Sequence, residues 1–326
     1  MTKKINIGVL GCASIALRSM IPAIEEMRKY FNLIGIASRD MQRATEWAQK
    51  YKVLPFNGYQ ALLNEKKLDA VYIPLPNALH SEWIDKALDR GLHVLVEKTL
   101  ACSRNEVEQL NEKAKRYNLI LLECFQFRFH RQMAEIQNLI DVGTLGDLRC
   151  IRTSFGFPPF SNENNIRYQK ALGGGALYDA GAYTIKISQI LMGNNLFVAA
   201  SKLNFENNKK VDIWGGGFLQ QKEGKLFSEI AFGFDHFYQC NLEILGSIGK
   251  LYTNRLFTAP PDFEAEIVIE TNKEKQIIKV PADNHFNNLL FHFYKLIHNT
   301  CSAEYEYIQN INQARLIEEF KIKAKG

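Results

Sequence analysis

"KINIGVLGCASIA", Lys4 to Ala16, decides how the first half of the chain is read. An apolar run, Ile5 to Leu10, reaches Gly11 and leads into "SIALRSMIPAIEEMRKY", where apolar residues recur at helical spacing and Ser14 is placed to cap. Strand, glycine turn and helix open a dinucleotide-binding unit, because small residues let backbone N–H groups approach a pyrophosphate at a helix N-terminus. Positions 11 to 16 read Gly11-Cys12-Ala13-Ser14-Ile15-Ala16, so alanine replaces the second and third glycines of G-x-G-x-x-G. On the motif alone, an ordinary tight turn stays open.

The rhythm continues outward. "NLIGIASR", "DAVYIPLP", "HVLVEK" and "LILLECF" read as buried strands. Between them "DMQRATEWAQKYK", capped by Asp40, "ALHSEWIDKALDRG", ended by Gly91, and "SRNEVEQLNEKAKRYN" read as helices. This alternation predicts an α/β fold with a doubly wound parallel (Rossmann) sheet over residues 1–124. Past residue 125 the alternation stops. A helix ("QMAEIQNLIDVG"), a strand ("DLRCIRTSFGF") and a second helix ("ALYDAGAYTIKISQILMG") precede strand-like runs without intervening helices, and two helices close the chain. Residues 125–326 are therefore expected to form an α+β domain on a mostly antiparallel open sheet.

The 326 residues are 46% hydrophobic and 23% charged, with a formal net charge of +5, which suits a soluble enzyme or binding protein. Basic clusters such as Lys209-Lys210 are short and lack interleaved aromatics, so no nucleic-acid partner is expected. Six cysteines stand at 12, 102, 124, 150, 240 and 301 without a CxxC pair, which argues against a zinc site and for a reducing, cytoplasmic setting. "VLGC", Val9 to Cys12, imitates a lipoprotein cleavage site, but the apolar run before it is too short for an export segment. No run approaches the ~20 apolar residues of a membrane span.

The second strand ends Ala37-Ser38-Arg39-Asp40, where a residue for the cofactor ribose belongs. A hydroxyl and a guanidinium suit a 2′-phosphate, because arginine makes forked bonds to phosphate oxygens. NADP(H) is thus expected over NAD, the alternative being solvated Ser38 and Arg39 beside a capping Asp40. Lys98 follows Glu97 at the C-terminal edge of a parallel strand, facing the crevice where such sheets bind ligands; Pro76, Asn77 and His80 stand at the neighbouring strand's edge. Later, Gly173-Gly174-Gly175 precedes Asp179 and Tyr183, which share a helix face at a spacing of four. The alternative for that pair is a packed phenol and a structural carboxylate.

Taken together, these pieces resemble the glucose–fructose oxidoreductase and inositol dehydrogenase (Gfo/Idh/MocA) family over essentially the whole length. The pieces are the Gly8 to Gly11 turn, "PNALH" (76–80), "EKT" (97–99) and the glycine run with Asp179 and Tyr183. The resemblance implies a cofactor site of Gly8, Gly11, Cys12, Ala13, Ser14, Ile15, Ser38, Arg39, Leu75, Pro76, Asn77, His80, Glu97 and Lys98. It also implies that Lys98, Asp179 and Tyr183 meet beside the nicotinamide and do acid–base work on a carbonyl. Thr99 departs from the family proline, and Tyr183 stands where the inositol dehydrogenase branch has histidine.

A narrower resemblance rests on "NIRYQKALGGGALYDAGAY", "FGFPP" and "FGFDHFY". These look like the dTDP-sugar 3-ketoreductases of deoxysugar biosynthesis, in which NADPH reduces the C-3 ketone of a nucleotide-linked keto-deoxyhexose. Arg167 and Tyr168 would then serve the substrate with Tyr183, and His236 and Tyr238 would face the same pocket from the sheet. An exposed loop charge is the other reading of Arg167. The competing functions are an NADP-dependent dehydrogenase of a free sugar or dihydrodiol, and a non-catalytic nucleotide-binding regulatory protein. Apolar residues on both faces of strands such as "LFSEIAFGF" point to a homo-oligomer, a dimer or tetramer.

Overall fold

In the computed structural model, which describes residues 3–206 and 209–325, the alternating first part of the chain builds one sheet. Its elements are β1 (Ile5–Leu10), α1 (Ile21–Glu26), β2 (Phe31–Ser38), α2 (Met41–Tyr51), β3 (Leu54–Asn57) and α3 (Tyr59–Leu63). They continue as β4 (Ala70–Ile73), α4 (Asn77–Asp89), β5 (His93–Glu97), α5 (Arg104–Arg116) and β6 (Leu121–Cys124). The six strands run parallel in the order β3-β2-β1-β4-β5-β6. Ile7, Val9, Val71, Ile73, Val94 and Val96 are fully buried, as strands covered on both faces require.

Two local departures have identifiable causes. β3, with Pro55 inside it, was not legible as a strand; it lies at the sheet edge, where proline is tolerated. The first helix is not continuous. Residues Ala16–Met20 form a wider π-type turn in which the Ile21 N–H reaches back to the Ala16 carbonyl. Pro22 follows, and a proline can neither donate to the carbonyl four residues earlier nor pack against it. Ser14 does not cap this turn, which has no side-chain cap, whereas Asp40 does cap α2, accepting from the Arg43 N–H at 3.2 Å.

The second part contains α6 (Arg131–Asp141), β7 (Leu148–Gly156), α7 (Ala182–Met192), β8 (Leu196–Phe205), β9 (Asp212–Gln221) and β10 (Phe227–Gly233). β11 (Gln239–Gly246), β12 (Gly249–Asn254), β13 (Ala265–Thr271), β14 (Lys275–Val280), α8 (His285–Ile297) and α9 (Glu304–Lys323) follow. Eight strands form a sheet of order β14-β13-β12-β11-β7-β10-β9-β8, in which β7 and β10 pair parallel and the other neighbours antiparallel. Its inner face carries α7, joined by a 2.8 Å bond between Ser188 and Ser228. The end of α9 packs there too, with Phe320 against Phe232 and Gln313 donating to the Ala182 carbonyl at 2.8 Å. The outer face mixes an Arg152–Glu229–Glu243 ion-pair group with stacked Phe218 and Phe227 and a 45% exposed Trp214.

Cα proximity divides the chain into two units, and the second includes Phe125–His285 and the residues from Asn312. The first holds the chain through Cys124 and also Phe286–Ile311, a segment expected with the second domain. Aromatic packing accounts for its return. Tyr294 of α8 packs 4.8 Å from Tyr30, and Tyr307 of α9 donates its hydroxyl to the Leu119 carbonyl at 2.6 Å.

Candidate active site

In the first unit, strand order runs outward in both directions from the β1–β4 pair, and open parallel sheets take ligands at the C-terminal ends of such strands. Gly11 stands there with φ +121°, and a Cβ on it would lie 2.7 Å from a Leu75 methyl. Leu62 likewise closes over Gly8, 2.9 Å from the place of a Cβ. Cys12, Ala13 and Ile15 follow half-buried, with Ser14 exposed.

At the end of β2, Ser38 is buried and its hydroxyl accepts from the Asp40 N–H at 3.1 Å. Burial raises the Cys12 thiol pKa, against which the Arg43 charge and a Ser38 hydrogen bond act. Burial also raises that of the Tyr59 phenol, against the charge and hydrogen bond of Arg39. Arg39 and Arg43 are themselves exposed. Two guanidinium groups and a hydroxyl beside the glycine turn fit a 2′-phosphate, and the nearby Asp40 carboxylate is engaged by the α2 cap. Arg43 escaped the sequence reading; the signal was an arginine in the first turn of the helix after β2.

Lys98, half-buried, follows β5 on a gripped segment. The Tyr72 hydroxyl donates to Glu97 Oε1 at 2.7 Å, and the Leu100 N–H donates to Glu123 Oε1 at 2.8 Å. The Lys98–Thr99 peptide, at the position of the departed proline, is cis. His80 Nδ1 lies 2.7 Å from the Thr99 carbonyl and Nε2 2.8 Å from the Leu75 carbonyl. His80 is fully buried, so its expected cofactor contact gives way to a place between the two strand ends, where the neutral ring donates its one N–H to one of the two backbone carbonyls. Burial outweighs the two carbonyls and holds its pKa down to about 4. Pro76 and Asn77 open α4 beside it, half-buried.

In the second unit the glycine run closes a loop. The Gly175 N–H donates to the Arg167 carbonyl at 2.9 Å, and a Cβ on Gly174 would lie 2.4 Å from that same oxygen. Arg167 Nε then donates to Asp179 Oδ2 at 2.5 Å, while its guanidinium lies 4.9 Å from the Phe160 ring centroid. Arg167 is therefore not a mere exposed loop charge. Asp179 lies in a π-type turn, Leu177–Gly181, that runs into α7 with Tyr183 in its first turn. The expected single α-helix is thus interrupted, at a kind of bulge often found at functional sites.

Tyr183 is 6% exposed, ringed by Phe125, Phe127, Phe155 and Phe257, with its hydroxyl 3.4 Å from both amide atoms of Gln126. Gln126 was not foreseen, since it lies past the strand pattern that guided the reading. Tyr168 accepts from the Phe160 N–H at 3.1 Å, and its ring takes the Lys209 ammonium at 4.4 Å.

His236 and Tyr238 part company. A Cβ on Gly156 or Gly233 would meet the His236 side chain at 2.5 and 2.9 Å, and His236 also neighbours Trp214. Side chains alternate along a strand, so Gly156 faces away from Phe155, which packs on Tyr183. His236 therefore lies on the sheet face opposite Tyr183, contrary to the expected shared pocket. Tyr238 bonds Thr258 at 3.1 Å and packs against the inner core.

Known proteins match this architecture along the chain. The model of the GFO/IDH/MocA oxidoreductase family with NAD-binding Rossmann fold matches residues 5–125, and the GFO/IDH/MocA C-terminal domain matches residues 133–252. The dTDP-3,4-didehydro-2,6-dideoxy-alpha-D-glucose 3-reductase of Actinomadura kijaniata is 35% identical over 98% of this chain and 96% of its own. A crystal structure of a 3-ketoreductase from that organism, with NADP and TDP-benzene, has a TM-score of 0.94 and 34% identity, with 98% of each chain covered. D-xylose 1-dehydrogenase (NADP(+)) 2 of Haloferax volcanii is 32% identical over 81% of this chain and 80% of its own. A glycine turn at the end of β1, a lysine after β5 and an aspartate–tyrosine pair leading into α7 thus stand in a chain that belongs to the Gfo/Idh/MocA family of oxidoreductases.

Proposed function

We propose that the protein is an NADP-dependent ketoreductase that reduces the C-3 ketone of a dTDP-linked keto-deoxysugar. The observation that carries the reading is the match, over nearly both full lengths, to a 3-reductase of that substrate class. Bound NADPH supplies the hydride. Ser38, Arg39 and Arg43 hold the 2′-phosphate, and Gly11 lets the backbone approach the pyrophosphate. Lys98 orients the substrate carbonyl and stabilises its developing negative charge, and Tyr183 or Lys98 delivers the proton. Arg167 and Tyr168 serve the nucleotide-linked substrate. Asp179 holds Arg167 in place.

The xylose dehydrogenase relative favours a second reading, NADP-dependent oxidation of a free sugar or dihydrodiol. A thermal-shift screen with NADPH plus dTDP, UDP or GDP separates the two, because a ligand of the native state raises its melting temperature. The first reading expects a shift with dTDP; the second expects none from any nucleoside diphosphate. The outer sheet face, with Trp214 and the Phe218–Phe227 stack, supports a homo-oligomer, which a monomer mass by light scattering would remove. Six free cysteines fit a cytoplasmic setting.

A further inference from the structure

We infer that Asp212, at the start of β9, is a positioning residue that holds the Arg167–Asp179 pair in register for turnover. Asp212 as a residue is 8% exposed, and its carboxylate comes from a strand distant in sequence to cap the turn that carries Asp179. Its Oδ2 accepts from the Leu177 N–H at 2.6 Å, and the Ala176 N–H also donates to it. Its Oδ1 occupies the space beside Gly175, 2.5 Å from where a Cβ would stand. No side chain of its own segment caps that turn, so the unpaired N–H groups of a helix start find their acceptor across the fold.

The contacts form a closed circuit. Asp212 fixes Ala176 and Leu177; Gly175, against the same carboxylate, donates to the Arg167 carbonyl; and Arg167 returns through its guanidinium to Asp179, two residues beyond Leu177. A shift of the turn would therefore move both ends of the Arg167–Asp179 ion pair, and with them the approach to Tyr183. On the far side, the Lys321 charge favours the ionised carboxylate against the upward push of burial on its pKa. Lys321 itself bonds the Tyr178 hydroxyl within the same turn. The C-terminal end of α9 thereby backs the residue that sets the turn. Two of the three glycines gain a reason that needs no ligand: Gly174 and Gly175 leave room for the Arg167 carbonyl and the Asp212 carboxylate.

The inference rests on the ketoreductase reading, and the test separates the two. Asp212→Asn keeps one carbonyl-type acceptor and removes the charge; Asp212→Ala removes both acceptors. Each is measured for NADPH affinity, for dTDP affinity by calorimetry, and for kcat and KM per NADPH-binding site on a dTDP-linked keto sugar. The same set is repeated in an Arg167→Ala background. Expected is a fall in kcat/KM between about 10-fold and about 100-fold for Asp212→Ala, the scale of a misplaced site, with NADPH affinity unchanged and Asp212→Asn milder. In the Arg167→Ala background the Asp212→Asn effect should shrink toward nothing, since interacting residues are non-additive. The same fold loss in both backgrounds, or native kcat/KM in Asp212→Asn and Asp212→Ala alike, overturns the positioning role. A native protein that binds no dTDP and reduces no keto sugar overturns the ketoreductase reading instead. In that event Asp212 is judged by hydrogen exchange at Ala176 and Leu177, which should quicken in Asp212→Ala; unchanged exchange overturns the cap itself.

Discussion

Arg39 and Arg43 stand exposed on either side of the turn after β2, and a charge-assisted hydrogen bond to a phosphate is worth ~1.5–3 kcal/mol. Arg39→Ala should therefore raise KM for NADPH by about 10-fold or more and leave KM for NADH nearly unchanged. Steady-state kinetics with both cofactors checks this, and an enzyme that prefers NADH before any substitution contradicts it. Lys98→Ala should lower kcat by at least about 100-fold, the low end for a group assisting proton transfer, while NADPH still binds. Tyr183→Phe keeps the ring among Phe125, Phe127, Phe155 and Phe257 and removes the hydroxyl alone. Its loss should match that of Lys98→Ala if Tyr183 is the sole donor and be smaller if Lys98 shares the work. Arg39, Lys98 and Tyr183 were legible because each follows a strand end or a glycine run, whereas Arg43 was not, standing inside the helix after β2. Their supports were not: Glu123, Gln126 and Asp212 meet their partners only through the fold, at separations of 23, 57 and 35 residues.

At the scale of elements, the glycine run is the sharpest test. Gly175 has φ +121°, outside the range where other residues rest easily, and its missing Cβ makes room for Asp212. Gly175→Ala should destabilise by ~1–3 kcal/mol from backbone strain alone, with a lower melting temperature by calorimetry; an unchanged midpoint would show that the turn tolerates a side chain. Strands and helices with strong period were readable from sequence, since burial on one or both faces imposes the pattern. The edge strands β3 and β14 were not, because an edge need not be apolar on alternate positions: β14 exposes Lys275, Gln276 and Lys279. Both π-type turns were also hidden. One follows from Pro22, a local cue that could have been read, and the other depends on a carboxylate far along the chain.

Across the whole molecule, buried and half-buried histidines couple stability to acid. His93 Nδ1 accepts from the Ile120 N–H at 3.0 Å, and His130 Nδ1 from the Gln132 N–H at 3.1 Å, so each needs that nitrogen unprotonated. Burial lowers His93 to about 4 and His285 to about 3, and lowers His130 as well. The unfolded chain binds these protons near pH 6.5, before the native state does. Their contribution is thus complete above pH 6.5 and is lost as pH falls toward the native values, each group adding a slope of up to about 1.4 kcal/mol per pH unit. Urea midpoints should fall from pH 6.5 to 4, and His93→Gln should flatten that slope; a midpoint level across the window would refute it. The two-part architecture was visible in the change of rhythm near residue 125, whereas the return of Phe286–Ile311 to the first unit was not, because aromatic residues on α8 and α9 do not announce which surface they will cover. The central claim is hydride transfer to a nucleotide-linked ketone, and the most direct measurement follows the hydrogen itself. With NADPH deuterated at the reactive C-4 position and a dTDP-linked 3-keto-deoxysugar, the account predicts one deuterium at C-3 of each product sugar, matched by one NADPH oxidised. NADPH left intact with that ketone, while xylose or a dihydrodiol reduces NADP+, would contradict it.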